Sequence, residues 1–417
     1  MIISKNNILV ITDSIDVNDS SASKGRVALI NNLVKIGYHI TVLHYTRKNI
    51  ELDGVKCISI PEKKYNFLFV LSRLQRLTQR LFKVDLSKYT EPFFGFSFTF
   101  FNDVNSIKAE LKKIDISKID FILTLSKGGS FRPHYAINKL PKFHSKWIAY
   151  IHDPFPFSKY PFPYNWKEPG YKIKESFFQE VAANATHSIF PSLLLKHWMV
   201  NVIEHFNETG IVIPHQNFEL NFNETNKPDY FDGNKFNLLH AGSLMMPRNP
   251  EGLLKGFQLF LKNTPSAIED VRLLLVGSAS YHKDIIISYD KLIPELYTNL
   301  KNLPFTEVYW LQKHVSVNII IEANAEVSPF LPGKFPHCIM ANKPILYLGP
   351  KKSEVLRLLG DDYPYHTSID NAEEIAKQIA CLYKLWKGNK SNQKLNRKDL
   401  EEYISASFLE KQMINVL

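Results

Sequence analysis

Short, mostly apolar runs recur along this chain, and each ends in polar residues, glycine or proline. The first run, Ile8–Ile11, is followed by a polar segment and then by apolar residues at helical spacing from Val27 to Ile36. Gly37 stands where a helix C-cap belongs, and His39–Leu43 is a second apolar run. Runs that are apolar on both faces are typical of strands buried in a parallel sheet. Strand, helix, glycine and strand form a βαβ unit, so the chain is predicted to be an α/β protein.

The pattern continues to about residue 215 and restarts at residue 236. Residues 216–235 are polar, contain Pro228 and show no period, which predicts a linker. The further predicted strands lie at 121–124, 147–151, 187–190, 211–213, 236–240, 272–276, 317–321 and 344–348.

We therefore predict a Rossmann-like domain at 1–215, a second at 236–399 and a C-terminal helix at 400–417. Packing of that helix back on the first domain is one option. Parallel sheets bind ligands outside the carboxyl ends of their strands. Two such domains facing across a cleft suit a nucleotide ligand on one side and a second substrate on the other.

Composition excludes several classes of protein. Apolar residues make up 45% of the chain and charged residues 22%, which excludes a disordered or collagen-like protein. Cys57, Cys338 and Cys381 lie far apart, so no disulfide framework or CxxC metal motif is predicted. No run reaches the roughly 18 apolar residues that cross a bilayer, and the first run is too short for a signal peptide. We expect a cytoplasmic protein, and its net charge of +10 favours anionic ligands or surfaces.

Two segments of the second half indicate anion binding. The loop after its first strand contains Gly242, Ser243 and Arg248 and leads into a predicted helix. Such a loop offers backbone N–H groups to a phosphate, and an arginine adds a fork of donors. The second segment is a proline-rich loop at 328–333, followed by Lys334 at a predicted helix start, which suits a pyrophosphate. The alternative for both cations is a solvated or snorkelling side chain.

The order of these motifs resembles retaining glycosyltransferases of the GT-B fold, in particular glycosyltransferase family 4. That family's donor loop often reads Ser-Pro-x-x-Pro-x-Lys, followed by a helix and Gly-Lys-Pro, and residues 328–334 and 342–344 are similar to it. In the first half, the sequence at 151–154 resembles the strand end that carries the family's active-site histidine. The resemblance covers most of the chain and is weakest at 60–115.

The resemblance implies a hexosyltransferase-like enzyme. It would move a sugar from a nucleotide-sugar donor, of UDP or GDP type, to a glycan or lipid-linked acceptor in bacterial-type surface polysaccharide or glycoconjugate synthesis. It also implies a retaining reaction with no cofactor and no metal, in which protein cations stabilise the leaving diphosphate. No DxD triplet occurs in the sequence, and the basic residues form no recognised nucleic-acid module, so no nucleic-acid partner is expected.

Particular residues receive roles from the same resemblance. His152 and Asp153 are the catalytic candidates, with His152 bonding a sugar hydroxyl or acting as a general base if the reaction inverts. The donor diphosphate would be bound by Arg248, Lys334, Gly242, Ser243 and Leu331, and the donor nucleoside or sugar by Gly277, Glu326, Ser328 and His337. The acceptor side would include Ser23, Lys24, Gly25, Lys127 and Gly128.

Two positions depart from the family pattern. The family usually has a glutamate three residues after the loop lysine, which contacts the donor ribose, and here that position is His337; Glu322 and Glu326 lie upstream at a different offset. The first loop also lacks the usual Gly-Gly and reads Ser-Ser-Ala-Ser-Lys-Gly at 20–25. Two other hypotheses therefore stay open: a non-catalytic GT-B scaffold or glycan-binding partner, and an epimerase-like GT-B protein.

Residues 62–95 interleave basic and apolar side chains. A basic amphipathic helix is typical of membrane-surface binding, which would fit a lipid-linked acceptor at the inner face of the cell membrane. The alternative is a core helix that buries its apolar face and exposes its basic one.

Overall fold

The computed structural model describes residues 6–19, 21–126, 128–217, 227–388, 393–414 and 416. These residues divide into two compact units. The first comprises the described parts of Met1–Tyr160, Tyr164–Gln216 and Ser405–Leu417, and the second those of Pro161–Pro163 and Asn217–Ile404. Residues 218–226 of the predicted linker lie outside the described part of the chain.

The first unit contains, among its described residues, a parallel seven-stranded sheet in the order β3-β2-β1-β4-β5-β6-β7. Its strands are β1 (Asn7–Thr12), β2 (His39–His44), β3 (Val55–Ser59), β4 (Phe121–Leu125), β5 (Trp147–Tyr150), β6 (His187–Phe190) and β7 (Gly210–Val212). Its helices are α1 (Ser21–Lys35), α2 (Phe67–Phe82), α3 (Ser87–Phe94), α4 (Phe98–Leu111), α5 (Arg132–Asn138), α6 (Tyr171–Asn184), α7 (Leu193–Val200) and α8 (Phe206–Thr209).

Burial on both faces explains the composition of the strands in this unit. Leu9 and Ile11 of β1 belong to a core cluster that also contains Phe100 of α4, and Ile8 and Val10, which point to the opposite face, are equally buried. The strand order reverses between β1 and β4. A switch point of this kind opens a crevice at the carboxyl ends of the strands, where doubly wound sheets bind ligands.

The second unit contains, in the part the structure describes, a parallel six-stranded sheet in the order β10-β9-β8-β11-β13-β15 and a short β12–β14 pair. Its strands are β8 (Phe236–Ala241), β9 (Val271–Val276), β10 (Leu296–Asn299), β11 (Val317–Ile321), β12 (Val327–Ser328), β13 (Ile345–Leu348), β14 (Lys352–Ser353) and β15 (His366–Thr367). Its helices are α9 (Glu251–Asn263), α10 (Lys283–Asp290), α11 (Phe305–His314), α12 (Phe335–Ala341), α13 (Glu354–Leu359), α14 (Ala372–Gly388) and α15 (Lys398–Tyr403).

The predicted C-terminal helical stretch is present as two helices. The second unit ends with α15, and a break at Ile404 and Ser405 precedes α16 (Ala406–Ile414), which packs on α1 within the first unit. The predicted fold class, α/β with two Rossmann-like parallel sheets and a C-terminal helix, is confirmed.

The structure corrects one local prediction in the first unit. The segment at 20–25 was expected to be a loop, but α1 begins at Ser21, so Ser23, Lys24 and Gly25 lie in its first turns. Ser20 lies outside the described residues. None of the helices that the structure describes is long and apolar enough to cross a membrane.

Candidate functional site

Three polar side chains meet at the carboxyl edge of the sheet in the second unit. His240 lies near the end of β8, Glu322 follows β11, and Lys334 directly precedes α12. The Lys334 ammonium lies 3.2 Å from Nδ1 of His240 and 3.4 Å from the carbonyl oxygen of Ile319. Parallel strands that end at one edge bring these residues together from distant parts of the sequence.

Two nitrogens beside Lys334 lack hydrogen-bond partners. Nε2 of His240, whose side chain is almost fully buried, and Nε of Arg248 are buried atoms that contact no partner among the described residues. Burial and the charges of Lys334 and Arg248 lower the pKa of His240 well below its usual value, so the ring is neutral. Nδ1 of His240 also lies 3.3 Å from the carbonyl oxygen of Ile319, so it donates to this carbonyl in one tautomer and accepts from Lys334 in the other. A charged Lys334 can only donate, so it requires the second tautomer, in which the ring proton is on Nε2. Buried polar groups are normally satisfied, so these two nitrogens indicate a place for a ligand with acceptor atoms.

Burial also perturbs the lysine itself. It lowers the pKa of Lys334 to about 7, with an opposing effect from Cys338 and a further lowering effect from the charge of Arg248. An amine with this pKa is half-charged at neutral pH in the unliganded protein. An incoming anion would favour its charged form, so ligand binding and protonation of Lys334 are coupled.

Glu322 is a buried carboxylate held by two hydroxyl groups. The Tyr347 hydroxyl donates to its Oε2 at 2.6 Å and the Ser328 hydroxyl to its Oε1 at 3.0 Å. Burial raises the pKa of Glu322, while these bonds and the charges of Arg248 and Lys334 oppose the rise. Glu322 therefore fixes the start of the 328–334 loop and adds negative charge near the two cations.

Two glycine turns approach each other beside the lysine. Gly242 has φ 146° and Gly277 has φ 120°, and a Cβ on Gly277 would lie only 2.5 Å from the carbonyl oxygen of Gly242. A Cβ on Gly242 would lie 3.5 Å from Nζ of Lys334. The structure thus places Gly242, Gly277 and Lys334, three residues predicted to bind the nucleotide-sugar donor, next to one another.

The other residues predicted to bind the nucleotide-sugar donor differ in their exposure. Ser243 and Glu326 are exposed, and the side chain of Leu331 is buried in a core cluster with Phe335. Only the backbone of Leu331 could therefore face a diphosphate. His337 is buried, with its ring centroid 5.1 Å from that of Phe305 and 5.3 Å from that of Tyr309.

In the first unit, His152 lies in a stack of rings directly after β5. Its ring centroid is 4.4 Å from that of Tyr150 and 6.0 Å from that of His215, and its Nε2 has no partner among the described residues. Burial lowers the pKa of His152 well below its usual value, with smaller effects of His215 and Arg26. The neutral ring is a weak base but a good hydrogen-bonding group. The neighbouring Asp153 is half-buried, and its charge contributes to raising the pKa of Tyr160, after burial.

A buried arginine, Arg26, lies next to the predicted acceptor residues of α1 and was not among the predicted site residues. Arg26 donates 2.7 Å to the Ser23 hydroxyl, and the side chain of Lys24 is buried enough to lower its pKa. A Cβ on Gly25 would lie 3.8 Å from Nδ1 of His215. Gly128 has φ 52° and its carbonyl accepts a bond from Ser126, whereas Lys127 lies outside the described residues.

A pocket of about 390 Å³ opens in the first unit beyond the ends of β1 and β2. The buried carboxylate of Asp103 stands on one side of it and accepts bonds from Arg132 at 2.9 Å and from Arg47 at 3.2 Å. Asp13, Asp16 and Lys48 also line the pocket. Carboxylates and guanidinium groups together can bond many hydroxyl groups, so the pocket suits a polar, hydroxylated molecule.

The sequence motifs did not identify His240, Tyr347 or Arg26 and assigned no role to Glu322. A signal was nevertheless present, since His240 and Tyr347 stand within mostly apolar strands and Glu322 directly follows one. A polar residue at the carboxyl end of a buried strand either forms hydrogen bonds with buried groups of the core or faces a ligand. The sequence does not distinguish these two cases. Among the described residues, no group of three or more His, Cys, Asp or Glu side chains is arranged to hold a metal ion.

No protein-family model and no curated protein matches the sequence. Solved structures do match the fold over nearly the whole chain. A glycosyltransferase from Rickettsia africae ESF-5 has 13% identity and a TM-score of 0.58, covering 99% of this chain and 98% of that one. Anabaena Alr3699/HepE in complex with UDP and glucose has 11% identity and a TM-score of 0.59, covering 99% of both chains. The α,α-trehalose 6-phosphate synthase from Burkholderia multivorans has 8% identity and a TM-score of 0.63, covering 99% and 98%. The chain therefore has the GT-B fold of these proteins.

Proposed function

We propose that this protein is a glycosyltransferase that moves a sugar from a nucleotide-sugar donor of UDP or GDP type. The cluster around Lys334 carries the proposal, because His240 Nε2 and Arg248 Nε are buried and have no partner within the described residues. A nucleoside diphosphate supplies acceptor oxygens for these nitrogens and further negative charge for the two cations. The likeness to structures that include a glycosyltransferase and a UDP complex supports the same reading.

The chemistry of this cluster suits a leaving diphosphate. Negative charge grows on that group as its bond to the sugar breaks, and preorganised cations stabilise it most when water is excluded. Lys334 and Arg248 would supply the charge, and His240 Nε2–H a neutral hydrogen bond. Because these are protein groups, we propose a metal-independent reaction without a cofactor.

On the acceptor side we propose that His152 binds a sugar hydroxyl. Its strongly lowered pKa makes it a weak general base at neutral pH, which favours this role and a retaining reaction over an inverting one. The polar pocket beside Asp103 would take the acceptor, a glycan or the head of a lipid-linked sugar. The proposal extends to synthesis of bacterial-type surface polysaccharide or glycoconjugate by a cytoplasmic protein at the inner face of the membrane.

The test is a nucleotide screen by thermal shift, with UDP, GDP, ADP and CMP, each with and without EDTA. A ligand that binds only the folded state at about 100 times its Kd stabilises the protein by about 2.7 kcal/mol. We expect one of UDP or GDP to raise the melting temperature selectively and EDTA to leave that rise unchanged. Failure of all four nucleotides would contradict the proposal, and loss of the rise in EDTA would contradict metal independence.

Nucleotide affinity is also expected to depend on pH through Lys334. Its pKa of about 7 means that, above pH 7, most Lys334 side chains are neutral and must take up a proton before they can pair with a diphosphate. Affinity should therefore fall by roughly tenfold per pH unit above about pH 7. The last ionisation of a phosphate lies near pH 6 and adds little in this range.

Titration calorimetry of the nucleotide selected by the screen, in buffers of different ionisation enthalpy, measures the proton uptake directly. A Lys334→Arg control keeps its charge and should show a flat profile, and proton-neutral binding by the wild type would contradict the coupling.

A non-catalytic GT-B scaffold or glycan-binding partner is the second candidate. The packing of His337 against Phe305 and Tyr309 favours it, because the resembling family usually places a ribose-binding glutamate at that position. Donor turnover separates the two candidates. A transferase releases nucleotide from its donor when acceptor is present, whereas a scaffold releases none.

A further inference from the structure

The exposed side of α2 is apolar, which is the reverse of an ordinary surface helix. Five side chains at alternating spacings of three and four residues form one stripe, and each is between 50% and 74% exposed. They are Phe67, Val70, Leu74, Leu77 and Leu81. The structure thereby excludes the alternative in which this helix buries its apolar face.

Polar contacts on the opposite side fix this orientation. Ser72 and Gln75 are the buried residues of α2. The Ser72 hydroxyl lies 3.2 Å from that of Thr99 in α4, and the Gln75 amide donates to the Ser87 hydroxyl at 2.6 Å. A rotation that buried the stripe would break these bonds and leave buried polar groups without partners. The apolar exposure is therefore built into the packing of the helix.

Further exposed apolar side chains follow the stripe along the chain. Phe82, at the end of the helix, and Tyr89 and Phe93 of α3 are 71%, 68% and 78% exposed. Single exposed apolar residues are common on proteins, but a stripe of five along one helix marks a surface that contacts another apolar phase. We name α2 and α3 together with residues 63–66 and 83–86 the α2–α3 face.

Most of the charges on this face are positive. Five of its cations are exposed and make no ion pair within the described residues: Lys63, Lys64, Arg80, Lys83 and Lys88. Asp85, which lies on the face, accepts a bond from the backbone N–H of Ser87 at 3.0 Å, and two further acidic groups are in ion pairs. Glu62 pairs with Arg73 and Arg76, and Glu91 pairs with Lys174. An apolar stripe bordered by free cations complements an anionic lipid surface, whereas a second copy of the same face would place like charges together.

We propose that the α2–α3 face binds the surface of an anionic phospholipid bilayer, with the stripe of α2 in the boundary between headgroups and acyl chains. This inference extends the proposed function. It rests on that function only to explain why the protein would act at a membrane. Binding to lipid itself needs neither a donor nor an acceptor.

Vesicle sedimentation tests the proposal with the full chain. We expect binding to phosphatidylcholine vesicles that contain phosphatidylglycerol, and at least about tenfold weaker binding to phosphatidylcholine alone, because the cations select the anionic surface. A Leu74→Glu, Leu77→Glu double variant should lose at least about tenfold in binding to the anionic vesicles. An Arg80→Glu, Lys83→Glu variant should lose the preference for them.

The matched control is Leu292→Glu in the second unit, where the leucine is 67% exposed and lies far in sequence from the α2–α3 face. It should bind vesicles like the wild type. Because Leu74 and Leu77 are exposed, their double variant should keep the wild-type melting temperature and nucleotide response, so a failure of lipid binding is distinct from a failure of the donor site. Equal sedimentation of the double variant and the wild type would overturn the proposal. So would a dimer in light scattering that the double variant converts to a monomer without any vesicle binding, which would assign the face to a second copy.

Discussion

Replacing Lys334 with methionine is expected to reduce the affinity for the selected nucleotide by on the order of 100-fold and the rate of donor turnover by as much or more. The ammonium stands 3.2 Å from His240 and beside Gly242, with Arg248 close enough to lower its pKa. Methionine keeps much of the apolar stem and removes the charge. Because the leaving diphosphate gains charge in the transition state, turnover should suffer more than binding.

The same substitution should leave the protein at least as stable as the wild type. A lysine whose folded-state pKa is about 7 instead of about 10.5 opposes folding when it is charged. This opposition is fully present below about pH 7 and disappears as the pH rises towards about 10.5. Lys334→Met should therefore raise stability most at low pH while it abolishes function.

Calorimetry with UDP or GDP and a donor-turnover assay measure the functional loss, and urea unfolding at two pH values measures stability. Lys262→Met, which removes an exposed lysine of α9, is the matched control and should change neither. A variant that binds nucleotide like the wild type would place the diphosphate elsewhere. A variant that is inactive because it unfolds would mean that Lys334 is a structural residue.

Most strands were predictable because a buried parallel strand consists mostly of apolar residues in one short run. The strands that were not predicted differ from the others in burial or in length. β3 and β10 lie at sheet edges, are only partly buried and contain polar residues, so they carry no such run. β12, β14 and β15 have two residues each, which is too short for a run. α1 begins within a Ser-rich segment that was predicted to be a loop, because the burial of Ser23 and Arg26 compensates for weak local helix propensity.

The site was less predictable than the fold, and α2 shows why. Its periodicity identified an amphipathic helix with an apolar face and a polar face. The periodicity does not show which of the two faces is buried. Only the contacts of Ser72 and Gln75 decide that the polar side points inward. In the same way, the position of His337 was noted in the sequence, but its burial between aromatic rings depends on the packing of α11 against α12.

Arg26 holds together the two loops at the switch point of the first sheet. Its guanidinium is fully buried and donates to the carbonyl oxygen of Ser14 after β1, to that of Ser126 after β4, and to the hydroxyl of Ser23. All three distances lie between 2.7 and 2.9 Å. Burial lowers its pKa to about 10, so it stays charged at neutral pH. Removing it would leave three buried acceptors without this donor, which is one of the most costly single changes in a folded protein.

Arg26→Met is therefore expected to destabilise the first unit by about 3 kcal/mol, which corresponds to a fall in melting temperature of roughly 6–12 °C. Lysine at this position keeps the charge but not the fork of donors, so Arg26→Lys should lose a large part of the same stability.

Hydrogen exchange resolved on peptides from β1 and β4 locates the effect in the first unit, whereas a melting curve of the whole protein does not distinguish the two units. Arg80→Met, at an exposed arginine of α2, should stay within about 0.5 kcal/mol of the wild type. If Arg26→Met exchanged like the wild type in both strands, water would satisfy the three acceptors and the arginine would not hold the switch point closed.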